Sequence, residues 1–377
     1  AYQRGFAGRQ AQICYAMKAN SSLAVLQVFA NAGCGFDIVS AGELARVLAA
    51  GGDPAKVIFS GVGKTRAEMK QALKVGIGCF NVESEAELDV LSDVAASMGL
   101  KAPVSLRVNP NVDPKTHPYI STGLKGNKFG IAHEDALRAY RHAASLPGLK
   151  VVGIDCHIGS QITEMTPYLD AMDRVLDLVA EIEAAGIAIH HIDFGGGLGI
   201  NYNGDTPPEA DALWAQLLAK LDARGYGQRQ LMIEPGRSLV GNAGVCLTEV
   251  VYTKPGEQKN FCIVDAAMND LPRPAMYQAF HAIVPLAAGG TALGFAPDQA
   301  QRLALAMVEL VTGAFLFLGM ALGAAAVACV QWAAAGFALN RDLLIFAIVS
   351  VLAFLVLRKL FARPADQEES PDDVNRY

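Results

Sequence analysis

Four strings, far apart in the chain, carry the residues whose chemistry is easiest to name. They are Lys18 in Tyr15-Ala16-Met17-Lys18-Ala19-Asn20, His157 in His157-Ile158-Gly159-Ser160, three glycines in Asp193-Phe194-Gly195-Gly196-Gly197, and the run Glu234-Pro235-Gly236-Arg237. An amine condenses with an aldehyde, and an imidazole face lies against a flat ring. Consecutive glycines let backbone N–H groups approach a phosphate, helped by the positive end of a following helix. A carboxylate beside a pyridine nitrogen keeps it protonated and makes the ring an electron sink. Singly, each has an ordinary explanation: a solvated lysine, a satisfied histidine, a flexible turn, a strand-end acid. In this order on one chain they fit pyridoxal phosphate.

Each string closes a β-rich run. The runs are 13–17, 35–39, 57–60, 79–82, 104–108, 151–157, 190–194 and 231–234, and the segments between them, such as 41–50 and 84–98, space apolar residues as helices do. Repeated strand–helix units imply parallel strands joined by right-handed crossovers. Eight of them predict an α/β fold, a (β/α)8 TIM barrel over residues 1–240, with its chemistry at the C-terminal strand ends. After Arg237 the pattern changes to strands without helices. Residues 243–252, a turn at Lys254-Pro255-Gly256 and residues 261–265 read as a hairpin opening a β domain over 241–286.

With 37 acidic against 31 basic residues the net charge is −6, so nothing electrostatic favours nucleic acid as a partner. Seven cysteines without CxxC spacing suit reduced thiols in a cytosolic enzyme, and no metal-ligand pattern stands out. The hydrophobic share of 52% is concentrated late in the chain. A Gly/Ala-rich linker over 287–302 leads into an apolar stretch, 303–361, and an acidic tail, 362–377. Residues 310–330 are an uncharged span of membrane length; a second run, 343–357, ends at Arg358, Lys359 and Arg363. This predicts helices in the inner membrane attached to a cytoplasmic barrel. Ala1 opens on a polar stretch without Met, which reads as a truncated N-terminus.

Two strings mimic nucleotide motifs. Gly61-Val62-Gly63-Lys64-Thr65 looks like the end of a P-loop, but Ile58 occupies the position where that motif needs its first glycine. The Gly195–Gly199 run resembles a dinucleotide fingerprint, yet it follows the seventh predicted strand instead of opening a βαβ unit.

The strings together resemble the fold-type III pyridoxal-phosphate decarboxylases, in particular the diaminopimelate decarboxylase family. The match is carried by YAMKAN (15–20), GFDIVSAGEL (35–44), RVNPNVDPKTHPYISTGLKGNKFGI (107–131), HIGSQI (157–162), DFGGGLGI (193–200), EPGRSLV (234–240) and DAAMNDLPRPAMY (265–277). It implies that Lys18 holds the cofactor covalently, His157 stacks on its ring and Glu234 faces its pyridine nitrogen. Gly195, Gly196, Gly197, Gly236 and Arg237 would surround the phosphate with Ser160 nearby, and Asp37 and Arg107 would line the pocket. Arg237, Arg273 and Tyr277 would contact the carboxylates of a small amino-acid substrate, meso-diaminopimelate, on its way to L-lysine and CO2. The family also implies a homodimer. A non-catalytic cofactor carrier or a racemase on the same fold is the alternative.

The family's β domain continues past Tyr277 to a Cys-Glu-Ser-x-Asp motif and a later tyrosine, which this sequence lacks; the expectation is therefore impaired activity. From about Val308 the chain resembles the membrane part of the NfeD family, through Glu309-Leu310-Val311-Thr312-Gly313, the run 318–324 and Leu357-Arg358-Lys359. That second resemblance implies a join of two incomplete proteins, or a membrane scaffold with the barrel as passenger.

Overall fold

The computed structural model describes residues 1–6, 8–114, 128–256 and 260–284, which fall into two compact units, one up to Val245 and one from Cys246. The first contains nine parallel strands. These are β1 (Ala11–Ala16), β2 (Gly35–Ile38), β3 (Val57–Phe59), β4 (Cys79–Val82), β5 (Ala102–Asn109), β6 (Ile131–Ala132), β7 (Leu149–Asp155), β8 (His191–Asp193) and β9 (Gln230–Ile233). Neighbours run β4-β3-β2-β1-β9-β8-β7-β5, and the pairing of β4 with β5 closes the ring. Eight strands thus form the expected barrel. The two-residue β6 is an addition, laid against the end of β5 through Val108 and Ile131.

The strands form where they do because both faces are covered. β2, β3 and β4 are buried at every residue, so they read as continuous apolar runs instead of alternating ones. The helices that cover them start on matched signals. Ser40, Thr65 and Ser84 each accept the backbone N–H of a glutamate three residues on (Glu43, Glu68, Glu87). At Thr65 the glutamate returns the bond to the cap, completing a capping box. That helix, Arg66–Val75, stops at Gly76, whose φ of 74° suits glycine.

The strand ends differ slightly from the sequence expectation. β1, β7 and β9 stop one or two residues early, so Lys18, His157 and Glu234 stand just beyond them. The ladder gives way there because the backbone partners come from loops: Ala16 N–H bonds Pro235 O at 3.1 Å, and Glu234 N–H bonds Gly195 O at 2.8 Å.

The P-loop mimic proves to be a structural pin. The Lys64 side chain is fully buried, and its ammonium donates to Gly61 O, Asn81 O and Glu87 Oε1, each at 2.7 Å. Glu87 also accepts Glu83 N–H at 3.0 Å, so the pin ties β3, β4 and the next helix together. Lys64→Met strands a buried carboxylate; the expected cost is about 3–5 kcal/mol, or roughly a 10 °C fall in thermal midpoint. A scanning calorimetry midpoint within about 3 °C of the parent would contradict this.

In the second unit, β10 (Val250–Lys254) and β11 (Phe261–Val264) form an antiparallel hairpin, followed by a short helix, Arg273–Tyr277. The expected hairpin is present, but its first strand begins at Val250 rather than Ala243, and Lys254 belongs to the strand. The preceding Gly241-Asn242-Ala243-Gly244 stretch has turn-forming residues that leave the ladder little to hold. Among the described residues no helix is long and apolar enough to cross a membrane. The expected linker, membrane spans and acidic tail (287–377) lie outside the described residues, as do 115–127 of the long 107–131 string.

Candidate active site

Lys18 sits in a single 3-10 turn, Met17–Ala19, directly after β1. Buried Met17 anchors that turn, and the Tyr15 hydroxyl donates to Asn20 O at 3.0 Å across it. Lys18 is exposed, and its side chain makes no hydrogen bond or ion pair with any described residue. Asp37 is the register partner of Ala16 on the neighbouring strand. Burial raises the Asp37 carboxyl above its ordinary range, against the pull of the Lys18 charge and the Ser60 hydrogen bond. Its Oδ1 has no hydrogen-bond partner among the described residues.

Across the barrel, Arg107, Asp155 and Asp193 are successive register partners on β5, β7 and β8. In-register residues share a face, so the ladder stacks these three buried side chains side by side. Arg107 lies 3.7 Å from Glu83 and packs over the Phe129 ring at 5.1 Å. Glu83 in turn accepts Gly61 N–H and Gly130 N–H at 2.9 and 3.0 Å. Glu234 is buried and accepts from Asn81 Nδ2 at 3.1 Å. Burial, then the charges of Asp37, Asp193 and Asp155, push the Glu234 carboxyl well above its ordinary range.

His157 follows β7 by two residues. Its Nδ1 accepts Gly196 N–H at 3.1 Å, which puts the ring proton on Nε2 of the neutral imidazole. Burial, with Arg107 and Lys18 nearby, pushes the His157 pKa well down and keeps the ring neutral. The glycine loop is shaped by close packing. A Cβ on Gly196 would fall 2.2 Å from Glu234 O, and Gly197 has φ +103° with Gly159 O only 2.3 Å from its would-be Cβ. Gln161 clamps this loop by bonding both Ile200 N–H and Ile200 O through its side-chain amide.

Beside the loop, Arg237 donates to Ser160 Oγ from Nε at 3.3 Å and Nη2 at 3.1 Å, and to the Tyr202 hydroxyl at 2.6 Å. Gly236 is pressed against Ala16 O, which draws Arg237 toward the Lys18 strand. The barrel therefore gathers Lys18, Asp37, Arg107, His157, Ser160, the glycines, Glu234, Gly236 and Arg237 at the C-terminal strand ends. Arg273 and Tyr277 belong to the second unit, where Arg273 Nη1 meets His281 Nε2 at 3.0 Å. Sequence reading passed over Asn81, Glu83, Asp155, Asp193 and Tyr202. Asp193 had a signal, since it opens the glycine string; the others are polar residues whose partners are set only by barrel closure.

Residues 1–241 match the family described as pyridoxal-dependent decarboxylase, pyridoxal binding domain. The chain belongs to this family. It is 59% identical over 282 residues to the diaminopimelate decarboxylase of Neisseria meningitidis serogroup A, covering 75% of this chain and 69% of that protein. The Pseudomonas aeruginosa diaminopimelate decarboxylase is likewise 59% identical over 280 residues, covering 74% and 67%. Among solved structures, the Helicobacter pylori diaminopimelate decarboxylase complexed with L-lysine has a TM-score of 0.70 at 43% identity, covering 74% of this chain and 70% of that one. The chain is thus an enzyme of the pyridoxal-phosphate-dependent carboxy-lyase class, as the strings implied.

Proposed function

We propose that this chain decarboxylates meso-2,6-diaminopimelate to L-lysine and CO2. The observation that carries the reading is the convergence of an unpaired amine, a buried carboxylate and an Arg–Ser pair suited to bind an anion on the strand ends of one barrel. The names of the relatives supply the substrate.

The donor set suits a flat, anionic, aldehyde-bearing ring. Arg237 and Ser160, beside the glycine loop, offer a guanidinium, a hydroxyl and backbone N–H groups for a phosphate. Neutral His157 offers an apolar ring face, and buried Asp37 Oδ1 and Arg107 Nε, without hydrogen-bond partners among the described residues, leave polar capacity in the pocket wall. Pyridoxal phosphate, when bound, supplies a protonated pyridine that takes up the electron pair left by departing CO2. Lys18 Nζ, free of competing partners, would hold the aldehyde carbon and yield it to the substrate amine. Glu234, oriented by Asn81, would hold the proton on the pyridine nitrogen. Arg237 is assigned to a substrate carboxylate.

The purified 377-residue chain with added pyridoxal phosphate is expected to release CO2 from meso-diaminopimelate and to accumulate L-lysine. CO2 released from L-lysine or L-ornithine but not from diaminopimelate would overturn the substrate. Epimerisation of an amino acid without CO2 release would overturn the reaction and favour a racemase.

A further inference from the structure

Tyr202 lies on the loop between the glycines and the helix Ala210–Ala223. No role above uses it, yet it belongs to a closed circuit of contacts around Arg237. Arg237 donates from Nε and Nη2 to Ser160 Oγ at 3.3 and 3.1 Å, and from Nη1 to the Tyr202 hydroxyl at 2.6 Å. Next to Ser160, the Gln161 amide holds both backbone groups of Ile200: Nε2 donates to Ile200 O at 2.6 Å, and Oε1 accepts Ile200 N–H at 3.2 Å. The circuit thus runs from Ser160 through Gln161, Ile200 and Tyr202 to Arg237 and back to Ser160. It joins the loops that follow β7, β8 and β9.

Tyr202 is held independently of Arg237. Its N–H bonds Asp205 Oδ2 at 3.2 Å, and Asn201 Oδ1 accepts Gly204 N–H at 2.9 Å, so the turn that carries the ring is closed by its own side chains. Gln161 keeps a φ of 57°, a left-handed conformation that a non-glycine residue adopts only where its surroundings impose it. A guanidinium has five N–H groups in one plane, and three of those on Arg237 are taken in this circuit. The two left are one on Nη1 and one on Nη2, the pair that grips a carboxylate bidentately. Bonds on both sides of the guanidinium fix its plane, so this pair is oriented before any anion arrives.

We propose that Tyr202 is a positioning residue for substrate discrimination: by holding Nη1 it presents the two remaining Arg237 N–H groups to the carboxylate that the product amino acid retains. The inference rests on the assignment of Arg237 to a substrate carboxylate. Ser160 commits the Nε edge beside the glycine loop, which leaves the tip of the fork to a second anion. Without the Tyr202 hydroxyl, Arg237 keeps its charge while its long side chain regains rotamer freedom. The grip then has to be ordered at the moment of binding, and affinity falls.

The test compares L-lysine with cadaverine, which is L-lysine without its carboxylate, by calorimetric titration into the 377-residue chain loaded with pyridoxal phosphate. Tyr202→Phe keeps the ring, whose centroid lies 5.7 Å from Arg237 Cζ, and removes only the hydroxyl. Affinity for L-lysine is expected to fall about tenfold in this variant, the effect of losing one hydrogen bond to a charged group. Affinities for cadaverine and for pyridoxal phosphate should stay within about twofold of the parent, since neither needs the oriented pair. In turnover the loss should fall on KM for meso-diaminopimelate more than on kcat. Equal losses for both amines would make Tyr202 a structural residue and overturn the proposal, as would an unchanged affinity for L-lysine. The parent reading fails separately: if Arg237→Met leaves the preference for L-lysine over cadaverine intact, Arg237 is not at the carboxylate, whatever Tyr202→Phe shows.

Discussion

Lys18→Ala abolishes turnover without unfolding the barrel. The side chain is exposed, sits in a three-residue turn and touches no described partner, so its loss should change stability by no more than about 0.5 kcal/mol. Turnover is expected to fall at least on the order of 10³-fold, because both the covalent hold and a proton-carrying amine vanish together. Lys18→Arg separates nucleophile from charge. It keeps a cation near Asp37 and His157, both of which feel the Lys18 charge, but offers no condensing amine. It should be as inactive as alanine. Borohydride treatment followed by peptide mass analysis should find the cofactor fixed to the peptide containing Lys18 in the parent and in neither variant. Retained fixation, or activity in Lys18→Arg near that of the parent, would remove Lys18 from its assigned role.

The barrel and the amine could be read from sequence because both are local signals. A strand buried on two faces is a short apolar run, and a Ser/Thr cap with a glutamate three residues on marks where the following helix starts; both patterns recur here. Lys18 and the glycines announce themselves by type and neighbours. The carboxylate layer beneath them does not. Asp155 reads as an ordinary strand-end acid until β7 is laid between β5 and β8, and only that closure sets it between Arg107 and Asp193. Asn81 is similar: its target, Glu234, is 153 residues away and is reached because β4 and β9 face the same barrel mouth. Lys64 shows the converse. Its string resembles a phosphate loop, yet burial turns the lysine into a pin, a distinction that depends on Glu87 one strand–helix unit later.

Glu234→Gln should weaken catalysis and strengthen the cofactor-free fold at the same time. The substitution is isosteric, and the Gln oxygen can still accept from Asn81, so geometry is kept while the charge is removed. Without an anion at the ring nitrogen the electron sink is impaired, and kcat is expected to fall by about 10²–10³-fold, the usual cost of deleting one preorganised charge-stabilising group. Stability moves the other way. In the cofactor-free chain, burial first, then Asp37, Asp193 and Asp155, hold the Glu234 carboxyl well above the value of about 4.3 it has when unfolded. The folded state therefore keeps a proton that the unfolded state has released. Its stability is full below that unfolded value and is lost as pH rises toward the folded one. Glutamine cannot ionise and escapes the loss. The variant's thermal midpoint should match the parent at acidic pH and exceed it at alkaline pH, with the gap closing when pyridoxal phosphate restores a partner to Glu234 in the parent. A midpoint below the parent's at alkaline pH would mean that the Glu234 anion is already compensated by the protein. In that case the pull on the ring proton would have to come from elsewhere in the pocket, with Asp37, buried and half unpartnered across the barrel mouth, as the next carboxylate to replace.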